Sequence, residues 1–242
     1  MSGFLDEVRA PRPGPGVCVR CFNFTREPGY ELCYACAAGE WHLDAVVPIA
    51  YSVAHERLHQ DLVRYKRYAD PWVEMAAARL ALILGRFLTA HEACVAAAAD
   101  APAFDLVTTV PSGVAERDEL HPLRWIVGDK IPSTGGRHER ILRRTKALIR
   151  ARAFDADMYE AVRRLDGPNV LLIDDTWTTG ASAQSAAAAL KAAGAASVAA
   201  VVIGRHVNRY WSENDLRLRQ VAAPLNFTEC ALCAAATAAE AA

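Results

Sequence analysis

Residues Val170-Leu171-Leu172-Ile173 run directly into two adjacent carboxylates, Asp174 and Asp175, and then into Thr176-Trp177-Thr178-Thr179-Gly180-Ala181-Ser182. Four consecutive apolar residues with no alternation predict a strand buried on both faces, as in parallel sheets. The Ala-rich run from Ser182 to Ala193 predicts a helix. A buried strand that feeds a short loop and a helix constrains the chain to an α/β fold. In open sheets of that class, ligands bind at the carboxyl ends of the strands. Backbone N–H groups at a helix N-terminus suit a phosphate. A phosphate in the loop, with the carboxylates accepting hydrogen bonds from nearby hydroxyls, describes a site for a phosphorylated ribose. A Walker B strand also ends in acids, but it requires an upstream G-x-x-x-x-G-K-[ST] loop, which this sequence lacks. A receiver-type domain has no use for the Thr-Thr-Gly-Ala-Ser loop.

Three further apolar runs, Val46–Tyr51, Leu106–Val110 and Val198–Ile203, predict the other central strands of a mostly parallel sheet. Helices are expected over His55–Tyr68 and Val73–Ala99. The second is interrupted by Glu74, Arg79, Arg86, His91 and Glu92, so it reads as an amphipathic helix and not a membrane span. The formal net charge is −1, so no global basic field draws the chain onto nucleic acid or membrane. Without an apolar signal-peptide core at the N-terminus, a cytoplasmic protein is expected. In Leu106–Ser112 a strand ends in hydroxyls, Pro and Ser-Gly, a turn whose N–H groups can face an anion.

Six of the seven cysteines fall in three C-x-x-C pairs, which in a cytosolic chain favours metal over disulfides. Cys18-x-x-Cys21 and Cys33-x-x-Cys36 flank eleven residues that contain the turn signal Pro28-Gly29. Two such knuckles complete a tetrahedral, closed and therefore structural zinc site. Pro11–Gly16 reads as a flexible lead to it. His91-x-x-Cys94 on the long helix and Cys230-x-x-Cys233 near the C-terminus make a Cys₃His set, a candidate second zinc site. The expected division is a zinc-ribbon module with its lead over 1–42, the main α/β domain over 43–233, and a disordered Ala-rich tail over 234–242.

The segment Val170–Ser182 resembles the PRPP-binding signature of type I phosphoribosyltransferases. The resemblance implies that Asp174 and Asp175 hold the ribose 2′- and 3′-hydroxyls, that Thr176 lines the pocket, and that Thr178, Thr179, Gly180, Ala181 and Ser182 hold the 5′-phosphate. It assigns pyrophosphate to Thr109, Val110, Pro111 and Ser112. A zinc ribbon in front of such a core is similar to the ComF family, associated with natural competence. Tyr65-Lys66-Arg67-Tyr68, on a basic helix after the first strand, fits the same family. The family's Arg-Gly-Phe-Asn hood motif is replaced by Arg117 and His121-Pro122-Leu123, and the usual aliphatic residues by Thr176 and Trp177.

The fold implied is α/β, with a mostly parallel sheet of the type I phosphoribosyltransferase kind and a small N-terminal zinc ribbon. The function implied is Mg²⁺- and PRPP-dependent phosphoribosyl transfer to an unidentified acceptor. Purine enzymes of this class place an acid where Thr178 stands, which disfavours hypoxanthine or guanine salvage and leaves the general base unnamed. The alternative is a ComF-like accessory factor in DNA uptake that binds PRPP or a ribose 5-phosphate without robust catalysis, with single-stranded DNA or DNA-processing proteins as partners. Arg137–Arg152 is strongly basic and follows Pro132-Ser133-Thr134-Gly135-Gly136, a hinge signal. It reads as a mobile cationic hood, as a solvated face, or as a nucleic-acid patch, the last disfavoured because no aromatic residues interleave.

Overall fold

The structure, a computed structural model, describes residues 2–67, 69–112, 121–145 and 152–240. Tyr68, Arg117, Lys146 and Arg150 of the expectations above lie outside the described residues. Among the described residues the strands are β1 (Arg9–Ala10), β2 (Ala45–Val53), β3 (Leu106–Thr109), β4 (Leu142–Arg144), β5 (Tyr159–Ala161), β6 (Asn169–Trp177), β7 (Ser197–Val207) and β8 (Ala223–Pro224). The helices used below are α1 (Tyr34–Ala38), α2 (Arg57–Arg64), α3 (Val73–Ala98), α4 (Ala181–Ala193) and α5 (Ala231–Glu240).

Six strands form one sheet in the order β3-β6-β7-β2-β1-β8. The neighbours among β3, β6, β7 and β2 pair in parallel, and β1 and β8 add an antiparallel edge. All four central strands fall where the apolar runs predict them. Successive side chains of a strand face opposite ways, and the core divides accordingly. Leu171, Ile173, Ala199, Val201 and Ile203 join one apolar cluster with residues of α2 and α3. Val170, Leu172, Val198, Ala200 and Val202 join another, with α4 and the four N-terminal cysteines. This two-sided burial is why the runs show no polar alternation.

Two details position the site. Strand β6 runs three residues beyond the expected end at Asp174, because Thr176 and Trp177 continue its pairing with Gly204 and Arg205 of β7. A Cβ at Gly204 would lie 2.5 Å from Leu62 Cδ1 and 2.9 Å from Ser52 Cβ, so the glycine lets α2 pack hard against the sheet. That close approach carries Tyr65 and Lys66 to the carboxyl end of β6.

Several expectations are corrected. Pro11–Gly16 is docked, not loose: Arg12 pairs with Glu229 at 2.7 Å, and the amide of Gly16 donates to Pro28 O. The hinge signal Pro132–Gly135 forms a short helical turn whose Thr134 is buried and donates to Val127 O and Ile131 O. Arg137 is no hood residue. It makes a two-pronged pair with Glu92 (2.7 and 3.0 Å) and donates to Phe104 O and Ser133 O. The rest of the basic run includes β4, which pairs antiparallel with β5. In place of a disordered tail from residue 234, α5 continues to Glu240. Its alanines are the strongest helix formers.

Candidate functional site

A cleft of about 570 Å³ opens at the carboxyl ends of β3 and β6. It is lined by Val110, Pro111 and Ser112 after β3, by Asp174, Asp175, Thr176, Thr178 and Ser182, and by His59, Lys66 and Arg67 from α2 and the residues after it. His121, Pro122 and Tyr159 close it. Three stretches far apart in sequence thus share one recess. Other expected residues stand elsewhere. Thr109 is buried within β3, with its side chain outside the lining. Thr179 and Ala181 border a neighbouring recess of about 400 Å³ against Trp41 and Trp177.

The two acids differ sharply. Asp175 is buried, and one of its oxygens, Oδ2, accepts from the Tyr65 hydroxyl and lies 2.6 Å from Lys66 Nζ. Burial alone would raise its pKa, but the Lys66 charge and the hydrogen bonds from Lys66 and Tyr65 win, holding it below the usual carboxylate range. Asp174 is half-buried, and its Oδ1 accepts from the Asp175 amide at 2.8 Å. Desolvation and the adjacent Asp175 charge push its pKa up to about 7. Tyr159, whose hydroxyl donates to Pro111 O at 3.3 Å, is pushed up to about 12 by burial and by Asp174. Burial and then His55 lower the pKa of His59, whose Nδ1 lies 3.4 Å from Ser52 Oγ.

The loop between β6 and α4 is braced from below. Gly180 has φ +86°, and a Cβ there would stand 2.1 Å from Trp177 Cζ2. Buried Arg205 of β7 donates to Trp177 O (2.8 Å), Thr178 O (2.9 Å) and His206 O (3.1 Å). From the other side, Gln184 Oε1 accepts the amides of His42 (2.6 Å) and Leu43 (3.2 Å), tying α4 to the segment after the N-terminal cysteines. Gly180→Ala combines a left-handed φ with a steric clash. It should destabilise the fold by more than about 1 kcal/mol and displace the loop, read as a lowered Tm in thermal melts.

Both cysteine groups assemble. The side chains of Cys18, Cys21, Cys33 and Cys36 are buried, with their sulfurs within 4.8 Å of one another and Cys21 Sγ 3.6 Å from Cys33 Sγ. His91, Cys94, Cys230 and Cys233 form the second set. Cys233 Sγ lies 3.4 Å from Cys94 Sγ and 3.3 Å from Cys230 Sγ, and His91 Nδ1 lies 3.7 and 3.6 Å from the sulfurs of Cys94 and Cys233. A tetrahedral zinc with ordinary bond lengths sets sulfur–sulfur edges of about 3.8 Å and sulfur–nitrogen edges of about 3.6 Å. Both groups can therefore hold a structural zinc ion. Burial lowers the His91 pKa, which favours the neutral ring a metal requires.

Sequence reasoning left Lys66, Arg67, His59, Tyr159 and Arg205 out of the site. The Tyr65-Lys66-Arg67 run was a usable signal. So was Arg205, a lone cation at the end of an apolar strand. No family model matches the chain, and no curated protein matches it.

Proposed function

We propose that this cleft binds PRPP or a ribose 5-phosphate, and that the chain is a Mg²⁺- and PRPP-dependent phosphoribosyltransferase of the type I, ComF-like kind. What carries the reading is the convergence of Val110–Ser112, Asp174, Asp175 and Thr176, and Thr178 with Ser182, on one recess at the carboxyl ends of parallel strands. The acid pair offers acceptors to the ribose hydroxyls. The start of α4 offers N–H groups to the 5′-phosphate. The turn after β3 faces the place where pyrophosphate would leave. Mg²⁺ enters with the diphosphate, held by its oxygens and water, and neutralises the leaving group. We also assign zinc to both cysteine groups.

The transfer itself is tested by incubating the chain with PRPP, Mg²⁺ and a panel of bases and amines, and measuring pyrophosphate. A specific observation favours the second reading, a PRPP-binding protein with weak catalysis. Among the described residues, Asp174 and Asp175 are the cleft's acidic side chains, and Asp175 is already engaged by Lys66 and Tyr65. Saturable PRPP binding without pyrophosphate release across the panel would select that reading.

The raised pKa of Asp174 gives a pH signature with two signs. Below about pH 7 the side chain takes a proton and loses a charge-assisted acceptor, so ligand affinity should fall as pH drops from 8 to 6. Stability moves the other way. The native state holds this proton more tightly than the unfolded chain, so Asp174's contribution to stability declines as pH rises through about 4 to 7. Asp174→Asn should therefore raise Tm at pH 8 and flatten the pH dependence of binding. Calorimetric titrations and melts at pH 6, 7 and 8 check both.

A further inference from the structure

The contact between Lys66 and Asp175 has a consequence for ligand choice. Lys66 Nζ sits 2.6 Å from Asp175 Oδ2, the oxygen that also accepts from the Tyr65 hydroxyl. The lysine side chain is 41% exposed, while the Asp175 side chain is 6% exposed. A flexible, strongly hydrated cation thus lies beside a buried anion, in a cleft that Val110–Ser112 also lines. In the free protein, Oδ2 of Asp175 is already held by Tyr65 and Lys66, so a ribose hydroxyl that takes this oxygen must displace the lysine.

Resting on the reading of this cleft as a ribose-phosphate site, we propose that Lys66 is a selectivity device that moves from Asp175 to the diphosphate of the incoming ligand. Displacing Lys66 from a buried carboxylate costs a charge-assisted hydrogen bond. A ligand that brings only a 5′-phosphate, held at the start of α4, leaves the ammonium without a diphosphate to move to. A ligand with a 1-diphosphate offers a polyanion within the same recess. The lysine then exchanges one anion for another while Asp175 passes to the ribose, with Tyr65 still donating to it. Arg67 lines the same cleft, two residues after Tyr65, and adds to the field that favours a diphosphate. The geometry suits Lys more than Arg, because a point charge on a long stem can swing between partners without matching a fixed fork. The ligand class selected is a ribose 5-phosphate that carries a diphosphate at C1, over the same sugar without it.

The test is calorimetry on the full chain with Mg²⁺ and three probes: PRPP, pyrophosphate and ribose 5-phosphate. For the wild type, PRPP should bind more tightly than ribose 5-phosphate. In Lys66→Met, PRPP and pyrophosphate should weaken about 10- to 100-fold, while ribose 5-phosphate binds as well or better. Equal losses for PRPP and ribose 5-phosphate, or an unchanged ratio, would overturn the hand-over while leaving the site assignment in place. A wild type that binds none of the three overturns both.

Lys66→Met strands a buried carboxylate and can fail to fold, so a second measurement uses the native chain. Acetylation of Lys66, followed by mass spectrometry, should slow with pyrophosphate and Mg²⁺ and speed up with ribose 5-phosphate, which dislodges the amine without capturing it. Identical rates with and without each ligand, once binding is established, would also overturn the proposal.

Discussion

Stripping zinc from the Cys18 group is expected to unfold the protein rather than to loosen one end. Cys18, Cys21, Cys33 and Cys36 are buried in the same apolar cluster as Trp177, Leu190 and the central strand residues Val170 and Leu172. Their module is bound to the rest by Gln184, by the Tyr51 hydroxyl donating to Phe22 O at 2.8 Å, and by Arg217 donating to the carbonyls of Gly16, Thr25 and Arg26. Structural zinc contributes on the order of 10 kcal/mol or more in small modules, against a total stability of about 5–15 kcal/mol for a typical domain. The purified chain should carry two zinc ions. A strong chelator, or Cys18→Ser with Cys21→Ser, should abolish the cooperative melt seen by circular dichroism. Cys230→Ser with Cys233→Ser should leave one zinc, free α5 and cost far less, because His91 and Cys94 stay on α3. One zinc in both proteins would remove the second site, and a zinc-free, cooperatively folded wild type would contradict both.

Replacing Asp174 and Asp175 together by Asn should cost at least about 100-fold in affinity for PRPP. Two charge-assisted acceptors become neutral, each worth about 1.5–3 kcal/mol. The double change removes both candidate acceptors at once, and Lys66, with its side chain 41% exposed, can turn to solvent. Crowding between the two carboxylates also disappears, so the variant should fold and allow the comparison. Calorimetry with Mg²⁺-PRPP on both proteins gives the ratio. Equal affinity in the folded variant would place the ligand elsewhere.

The strands were legible because two-sided burial leaves mostly apolar runs without polar alternation, and Val46–Tyr51, Leu106–Val110, Val170–Asp174 and Val198–Ile203 all carry that mark. The cysteine groups were legible because ligand spacing is local. Even the distant set of His91, Cys94, Cys230 and Cys233 could be matched by composition alone. The state of the acid pair was not legible. That Asp175 is held by Tyr65 and Lys66 depends on how closely α2 packs over Gly204, a long-range contact that no local pattern encodes. Pro132–Gly135 misled for a related reason. A Pro-Ser-Thr-Gly run marks a turn, but only the buried partners of Thr134 decide whether that turn is fixed. Arg137 looked like one member of a basic run until Glu92 on α3 came beside it.

The recess lined by Val110–Ser112, Asp174, Asp175, Thr176, Thr178 and Ser182 is expected to hold a phosphorylated ribose. Calorimetric titration of the zinc-loaded wild type with PRPP and Mg²⁺, run alongside hydrogen exchange with and without the ligand, tests it most directly. The expected result is one saturable site per chain, with slowed exchange confined to the amides after β3, at the end of β6 and at the start of α4. Absence of binding heat, or protection that falls outside those three segments, would contradict it.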